Sequence, residues 1–326
     1  MKHISILVPK EAILGSLEGT RQLFSEVNNF MSAQGKPPLF NVQLVGIDRE
    51  TPLARGRFTV HADLVLDEAK KTDLVIIPAM NGEITQALKK NQEFIPWIIR
   101  QYQQGAEVAS LCMGAFLLAS TGLLNGRKCA THWMAANQFK EMFPKVDLVT
   151  ERIITDEKGL YSSGGAFSYM NLILYLIEKY AGRDIAVLAA KVFAIEIERD
   201  NQLSFTIFQG QKEHEDEPVI KAQEFIEHHF QDKITVDQLA DQFAIGRRSL
   251  ERRFKKATAN TVTEYIQRVK IEVAKKGFET TRKNIYEVMD DVGYSDVKAF
   301  RNTFRKITGL SPNEYRHKYN KEALTV

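Results

Sequence analysis

The sequence has 326 residues, which at ~100–200 residues per domain points to two or three domains. Hydrophobic residues make up 44% and charged residues 26%, which excludes disorder, collagen and a coiled-coil rod as the main class. The formal net charge of +3 hides an asymmetry: residues 219–326 hold 21 Lys/Arg against 15 Asp/Glu, and residues 1–218 hold 23 against 26. Only the C-terminal part has the charge balance that suits a polyanion.

The first residues, Met1 to Pro9, carry an apolar run too short for a signal peptide and read as a strand, Ile4–Val8. Leu23, Phe24, Val27, Phe30 and Met31 follow with helical spacing. Val42–Val45 and Leu74–Ile77 are strand-like, Phe94, Trp97, Ile98 and Tyr102 mark a helix, and Val108–Leu111 is a further buried strand. Gly114–Ser120 continues as a small-residue helix, and 167–199 reads as mainly helical, with Met170, Leu172, Ile173, Leu176 and Ile177 on one apolar face. Strands flanked by helices in this order predict an α/β domain built on a layered, largely parallel sheet.

Residues 209–218 contain no apolar side chain apart from the closing Pro218, so they are expected to be a linker. The resulting division is a first domain over 1–208, a linker over 209–218, an all-α domain over 219–318 and a tail over 319–326. No apolar run approaches the ~18 residues of a membrane span. The two cysteines, Cys112 and Cys129, neither form a disulfide framework nor stand at metal-ligand spacing. No metal, no cofactor and no membrane partner is expected, and a reducing cytoplasm is the expected location.

The all-α part repeats itself. Phe254-Lys255-Lys256 returns as Phe304-Arg305-Lys306, Thr258 as Thr308 and Glu264-Tyr265 as Glu314-Tyr315, all at an offset of 50. Ahead of the turn the offset is 49, with Leu239 answered by Val288 and Phe243 by Val292, so the second copy has one extra residue in its turn. A repeat of this kind fixes the architecture as two helix–turn–helix units. At ~100° per residue, Leu250, Phe254 and Ala257 fall on one side of a helix and Arg248, Arg252 and Lys255 on the other. The second copy sets Phe300, Phe304 and Ile307 against Lys298, Arg301, Asn302 and Arg305. An apolar back with a cationic front suits a helix lying in the DNA major groove, where Lys and Arg neutralise phosphates and Arg pairs with guanine. Helices near Val236–Phe243 and Ile285–Val292 would brace the two recognition helices, and Val262–Gly277 would be one long helix joining the units. With Arg247, Ser249 and Ser295 at the flanks, these side chains form the expected DNA-binding set.

Residues 219–318 resemble the AraC-type DNA-binding domain, on Gly293-Tyr294-Ser295-Asp296, Phe300, Phe304-Arg305 and Gly309-Leu310-Ser311-Pro312-Asn313-Glu314-Tyr315-Arg316. Two positions depart from that pattern. Gly246 stands where Ser often caps the first recognition helix, and Met289 replaces a small Ala. The resemblance implies double-stranded DNA as a partner and admits RNA polymerase as another.

Cys112 ends a buried strand and precedes Met113-Gly114-Ala115-Phe116, the setting of a nucleophile elbow. Residues 1–200 resemble the DJ-1/PfpI branch of the class I glutamine-amidotransferase-like, flavodoxin-like fold. The resemblance rests on Ser110–Ala119, Gly122–Arg127, Ala130-Thr131-His132-Trp133 and Tyr161–Ala166. The order of the two halves is that of the GlxA-like regulators. PfpI-type peptidases have His directly after the cysteine, whereas Met113 stands here, and Ser16 stands where the fused regulators usually carry Asp. Cys112 and His132 are therefore the only catalytic candidates, and no catalysis is expected. The expected function is sequence-specific DNA binding by a homodimeric transcriptional regulator. A small-molecule effector would bind around Cys112, Met113, His132, Trp133, Gly164 and Gly165, at the carboxyl ends of the strands. The alternatives are a cysteine-dependent enzyme acting on small aldehydes or amides with a DNA-binding adaptor, and a redox sensor at Cys112.

Overall fold

A computed structural model describes residues 1–197, 201–212 and 214–320. The chain divides into two units, Met1–Gln202 and Leu203–Val326.

The first unit is built on a seven-stranded sheet. Its spatial order is Ile154–Glu157, Leu160–Ser163, Glu107–Leu111, Leu74–Ile77, Lys2–Val8, Phe40–Gly46 and Leu64–Val65. All pairings are parallel except that of Ile154–Glu157 with Leu160–Ser163 at one edge. Burial on both faces follows the two-residue period of a strand. Ile4, Ile6, Leu74, Ile76, Ala109 and Leu111 face one core with helices Leu14–Ala33 and Tyr169–Ala181. Leu7, Val75, Ile77 and Val108 face the other, with Phe94–Gln103, Ala115–Ser120 and Ala136–Met142. The helical stretch expected over 167–199 is two helices, Tyr169–Ala181 and Arg183–Val192, separated at Gly182. Residues 198–200 of that stretch, and 321–326 of the expected tail, lie outside the described residues.

In the second unit, Val236–Gln242 and Arg247–Thr258 form the first helix–turn–helix, and Ile285–Asp291 and Val297–Thr308 the second. The helix Val262–Thr280 joins them. Its N-terminal half contributes Val262, Tyr265, Ile266 and Val269 to one core, and its C-terminal half contributes Ile271, Ala274 and Phe278 to another. Each helix–turn–helix therefore has its own core and shares one rigid axis.

Residues 209–218 are packed rather than loose. Gln211 accepts a hydrogen bond from Asn260, and Asp216 caps the helix Glu217–His228 and pairs with Arg253. The segment expected to be a linker thus makes ordered polar contacts with the second unit, residue 213 lying outside the described residues. The physical reason is that polar side chains, not apolar ones, hold the segment in place. Among the described residues no helix is long and apolar enough to cross a membrane. Among them, too, no group of three or more His, Cys, Asp or Glu side chains is placed to hold a metal.

Candidate nucleic-acid interface and sheet-edge site

Both recognition helices bury an apolar back. Leu250, Phe254 and Thr258 are buried in the first, and Phe300, Phe304 and Thr308 in the second. Opposite them, Arg248, Arg252 and Lys255, and Lys298, Arg301, Asn302 and Arg305, are exposed, and no ion pair holds any of them among the described residues. A groove of about 610 Å³ runs along the first front, lined by Arg248, Arg252, Lys255, Lys256 and Thr261–Thr263. Three basic side chains grouped with these in the sequence behave differently. Arg247 is held by Asp237 at 2.9 Å and by Glu251 at 3.5 Å. Arg253 forms a two-pronged pair with Asp216, at 2.9 and 2.7 Å, and that pairing holds the Asp216 carboxyl below its ordinary range. Lys256 stands outside the expected set yet lines the groove. Ser249 is half-buried and Ser295 is exposed.

The caps of the two helices differ. Gly246 offers no side-chain cap, whereas Asp296 accepts from the backbone N–H groups of Lys298 and Ala299 at 2.7 and 3.0 Å. Met289 is buried in the second core and fills the place of a smaller residue there.

A lysine inside the protein ties the two helix–turn–helix units together. Lys270 is buried, and its ammonium donates to the carbonyl oxygens of Asp232 and Gly293, both at 3.3 Å. It also stands over the Tyr294 ring. Asp232 precedes the first helix–turn–helix and Gly293 is the turn of the second. Burial lowers the Lys270 pKa, because an ammonium loses hydration inside the protein.

At the carboxyl edge of the sheet, Cys112 has a left-handed backbone, φ +52°, directly after the strand Glu107–Leu111. This is the strained strand-to-helix turn expected from the sequence. Its N–H donates to Ser163 Oγ at 3.4 Å, and its carbonyl accepts from Thr131 Oγ1 at 3.1 Å. The thiol is buried, and burial pushes its pKa up to about 11. His132 is half-buried; its Nδ1 accepts from the Met134 N–H at 3.2 Å, and burial lowers its pKa. The His132 and Trp133 rings lie 5.6 Å apart. Gly164 sits against the His132 segment: a Cβ there would stand 2.4 Å from Gln202 Nε2 and 2.9 Å from the Thr131 carbonyl oxygen. Gly165 follows with φ +75°. The edge thus brings together Cys112, the Thr131–His132 turn and Gly164–Gly165, while Met113 packs partly into the second core of the sheet.

The DJ-1/PfpI family matches residues 31–179, and a helix-turn-helix domain matches residues 239–318. The HTH-type transcriptional regulator GbdR of Pseudomonas aeruginosa is 25% identical over 281 residues, 85% of this chain and 75% of that protein. The HTH-type transcriptional regulator CdhR of the same species is 25% identical over 95% of this chain and 90% of its own. The chain is an AraC-type regulator with a DJ-1/PfpI-like N-terminal domain. A solved AraC family transcriptional regulator from Pseudomonas putida shares the fold, with a TM-score of 0.50 at 16% identity over 59% of this chain and all of that one.

In this regulator the residue that sequence reasoning missed is Gln202. It is buried, and its side-chain amide donates to the carbonyls of Thr131 at 3.1 Å and Thr150 at 2.8 Å. Its backbone N–H donates to the Glu151 carbonyl at 2.9 Å. No local pattern marks it, because every partner is 50 or more residues away in sequence.

Proposed function

We propose that this regulator reads duplex DNA with Arg248, Arg252 and Lys255 of the first recognition helix and Lys298, Arg301, Asn302 and Arg305 of the second. One observation carries this reading: two helices of the same design present cationic fronts, with no ion pair among the described residues, from apolar backs anchored on a single shared helix. Lys and Arg on such fronts neutralise phosphates, and Arg adds bidentate pairing with guanine. The first unit binds a small-molecule effector at the sheet edge around Cys112, His132, Trp133 and Gly164-Gly165, and it pairs two copies of the chain. Leu188 and Val192, one turn apart on the same helix, are exposed and offer an apolar patch for that pairing. The protein works in the cytoplasm.

The left-handed backbone at Cys112 favours a second reading, covalent cysteine chemistry. Against it stand a thiol that is protonated at neutral pH and a His132 whose Nδ1 is occupied by the Met134 N–H. The elbow is therefore assigned to binding, not to catalysis.

Selection of bound duplexes from fragmented source DNA, followed by salt titration of the best fragment, tests the main reading. Affinity should fall steeply with salt, with a slope of roughly −0.9 for each phosphate neutralised. A full-length chain that selects no duplex overturns it, as would a triple Arg248→Ala, Arg252→Ala, Arg301→Ala variant that binds as tightly as the parent.

A further inference from the structure

The segment ahead of the first helix of the second unit makes more contacts than a tether requires. It touches both helix–turn–helix units. At its start, the Ser204 carbonyl accepts from Tyr319 Oη at 3.1 Å, and the Phe205 ring lies 6.5 Å from the Tyr319 ring and 4.8 Å from the Lys318 ammonium. The Leu203–Phe205 turn packs on Val297–Thr308, the second recognition helix. In the middle, the Thr206 carbonyl accepts from Lys275 Nζ at 2.6 Å, and the Phe208 N–H donates to Glu272 at 3.0 Å. Lys275 and Glu272 pair with each other at 2.8 Å, their side chains 5% and 15% exposed. Further on, the Phe208 ring lies 5.0 Å from Tyr265 within the first core, and Asn260 donates to Gln211. At its end, Asp216 takes both prongs of Arg253 on the first recognition helix.

We propose that residues 203–212 and 214–216 are a strap that sets the orientation of the two recognition helices relative to one another, with Thr206–Phe208 clamped on the buried Lys275–Glu272 pair as its centre. A joining helix fixes spacing along its axis, while twisting about that axis is opposed by side-chain packing and by the Lys270 hydrogen bonds to Asp232 and Gly293. The strap adds a further tie across both units, away from Lys270, so it restrains the twist. Its ties to Lys275 and Glu272 sit where burial strengthens them, since charge-assisted hydrogen bonds in low dielectric outweigh exposed ones. Chain connectivity makes Leu203 the direct continuation of Gln202, which is anchored at the sheet edge by Thr131 and Thr150. The strap is thus the covalent route by which a change at that edge alters DNA reading. This last consequence rests on the DNA-binding function proposed above; the restraint on twist does not.

The test places nitroxide labels on Lys256→Cys and Lys306→Cys, equivalent exposed positions of the two units, in full-length chain diluted with unlabelled chain. Cys112 and Cys129 are buried and resist labelling. The parent should give one narrow distance distribution between the labels. The Phe205→Ala, Phe208→Ala double variant should broaden it about twofold or more, as expected for a released tie between two packed units. Lys275→Met, which keeps the apolar stem and removes the donor to Thr206, should broaden it less, and decides the matter if the double variant does not fold. On a duplex selected by the parent chain, insertion of one base pair between the two contacted segments should cost the parent about tenfold in affinity. The same insertion should cost the strap variants far less. A folded variant with a distribution as narrow as the parent's overturns the proposal, whatever the DNA result. A parent that selects no duplex overturns the DNA reading alone, because the label distances still decide the strap.

Discussion

Lys270 donates to the carbonyl oxygen of Gly293 from the middle of the joining helix, reaching across to the turn of the second helix–turn–helix. The same ammonium holds the Asp232 carbonyl of the segment before the first. One buried cation therefore latches two separately cored units, and it does so at a cost: burial disfavours its charged form.

That cost has a pH signature. The folded-state pKa of Lys270 lies below the ordinary lysine value of 10.5. As pH rises through the folded value, the native chain gives up the proton before the unfolded chain does, so stability rises with pH over that window. Lys270→Met removes the charge and keeps the stem. The stability difference between parent and variant, measured by urea unfolding, should move in the parent's favour as pH climbs towards 10.5, and should be flat near neutrality. At neutral pH, Lys270→Ala should lose about 2 kcal/mol, since it leaves a cavity and two carbonyls without a donor.

Gly293 gives a second handle on the same junction. Its φ is +69°, and a Cβ there would stand 1.8 Å from the Gln231 carbonyl oxygen. Gly35 has the same φ and open space around it. Gly35→Ala should cost about 1 kcal/mol, the price of a left-handed backbone alone. Gly293→Ala must add displacement of backbone and should cost at least ~3 kcal/mol. Equal losses in thermal unfolding of the two variants would show that the two units are not in close contact there.

The two arginines Arg252 and Arg253 are neighbours in sequence and separate in role. Arg252 is exposed on the cationic front, and Arg253 is engaged by Asp216. Arg252→Ala should weaken duplex binding about tenfold, and a flattening of the salt slope by about 1 would mark a phosphate contact rather than a base contact. Arg253→Ala should leave affinity and slope in place and lower the Tm. Fluorescence anisotropy across a salt series, with a melting curve for each variant, reads both.

This separation marks where the sequence stops being informative. Helical period placed Leu250, Phe254, Phe300 and Phe304 inward and Arg248, Arg252, Arg301 and Arg305 outward, because a local 3.6-residue repeat carries that information. The four main parallel strands were legible for the same reason, as short local apolar runs. The strand Leu160–Ser163 was not. Its Ser162 and Ser163 look like a turn, yet both are buried, with Ser162 Oγ accepting from Ala130 and Ser163 Oγ from Cys112. The contacts of residues 203–212 and 214–216 were hidden too, because Lys275, Glu272, Arg253 and Asn260 lie 37 to 69 residues beyond the groups they hold. A polar segment whose partners are distant is indistinguishable by composition from a free one.

Cys112 offers a direct reading of whether the elbow retains chemistry. Its thiol is buried, and burial pushes its pKa up to about 11, well above the ordinary thiol value. The thiolate is the reactive form, so alkylation follows its fraction. In the folded protein the rate of iodoacetamide modification at Cys112, followed by mass spectrometry of the peptide, should keep rising up to about pH 11. A midpoint near or below 7 would mean an activated thiolate and would favour the enzyme reading. Cys112→Ala should leave duplex affinity and its salt slope unchanged, since no recognition-helix residue depends on the thiol. A loss of DNA binding confined to peroxide-treated parent, and absent from Cys112→Ala, would instead make this cysteine a redox sensor.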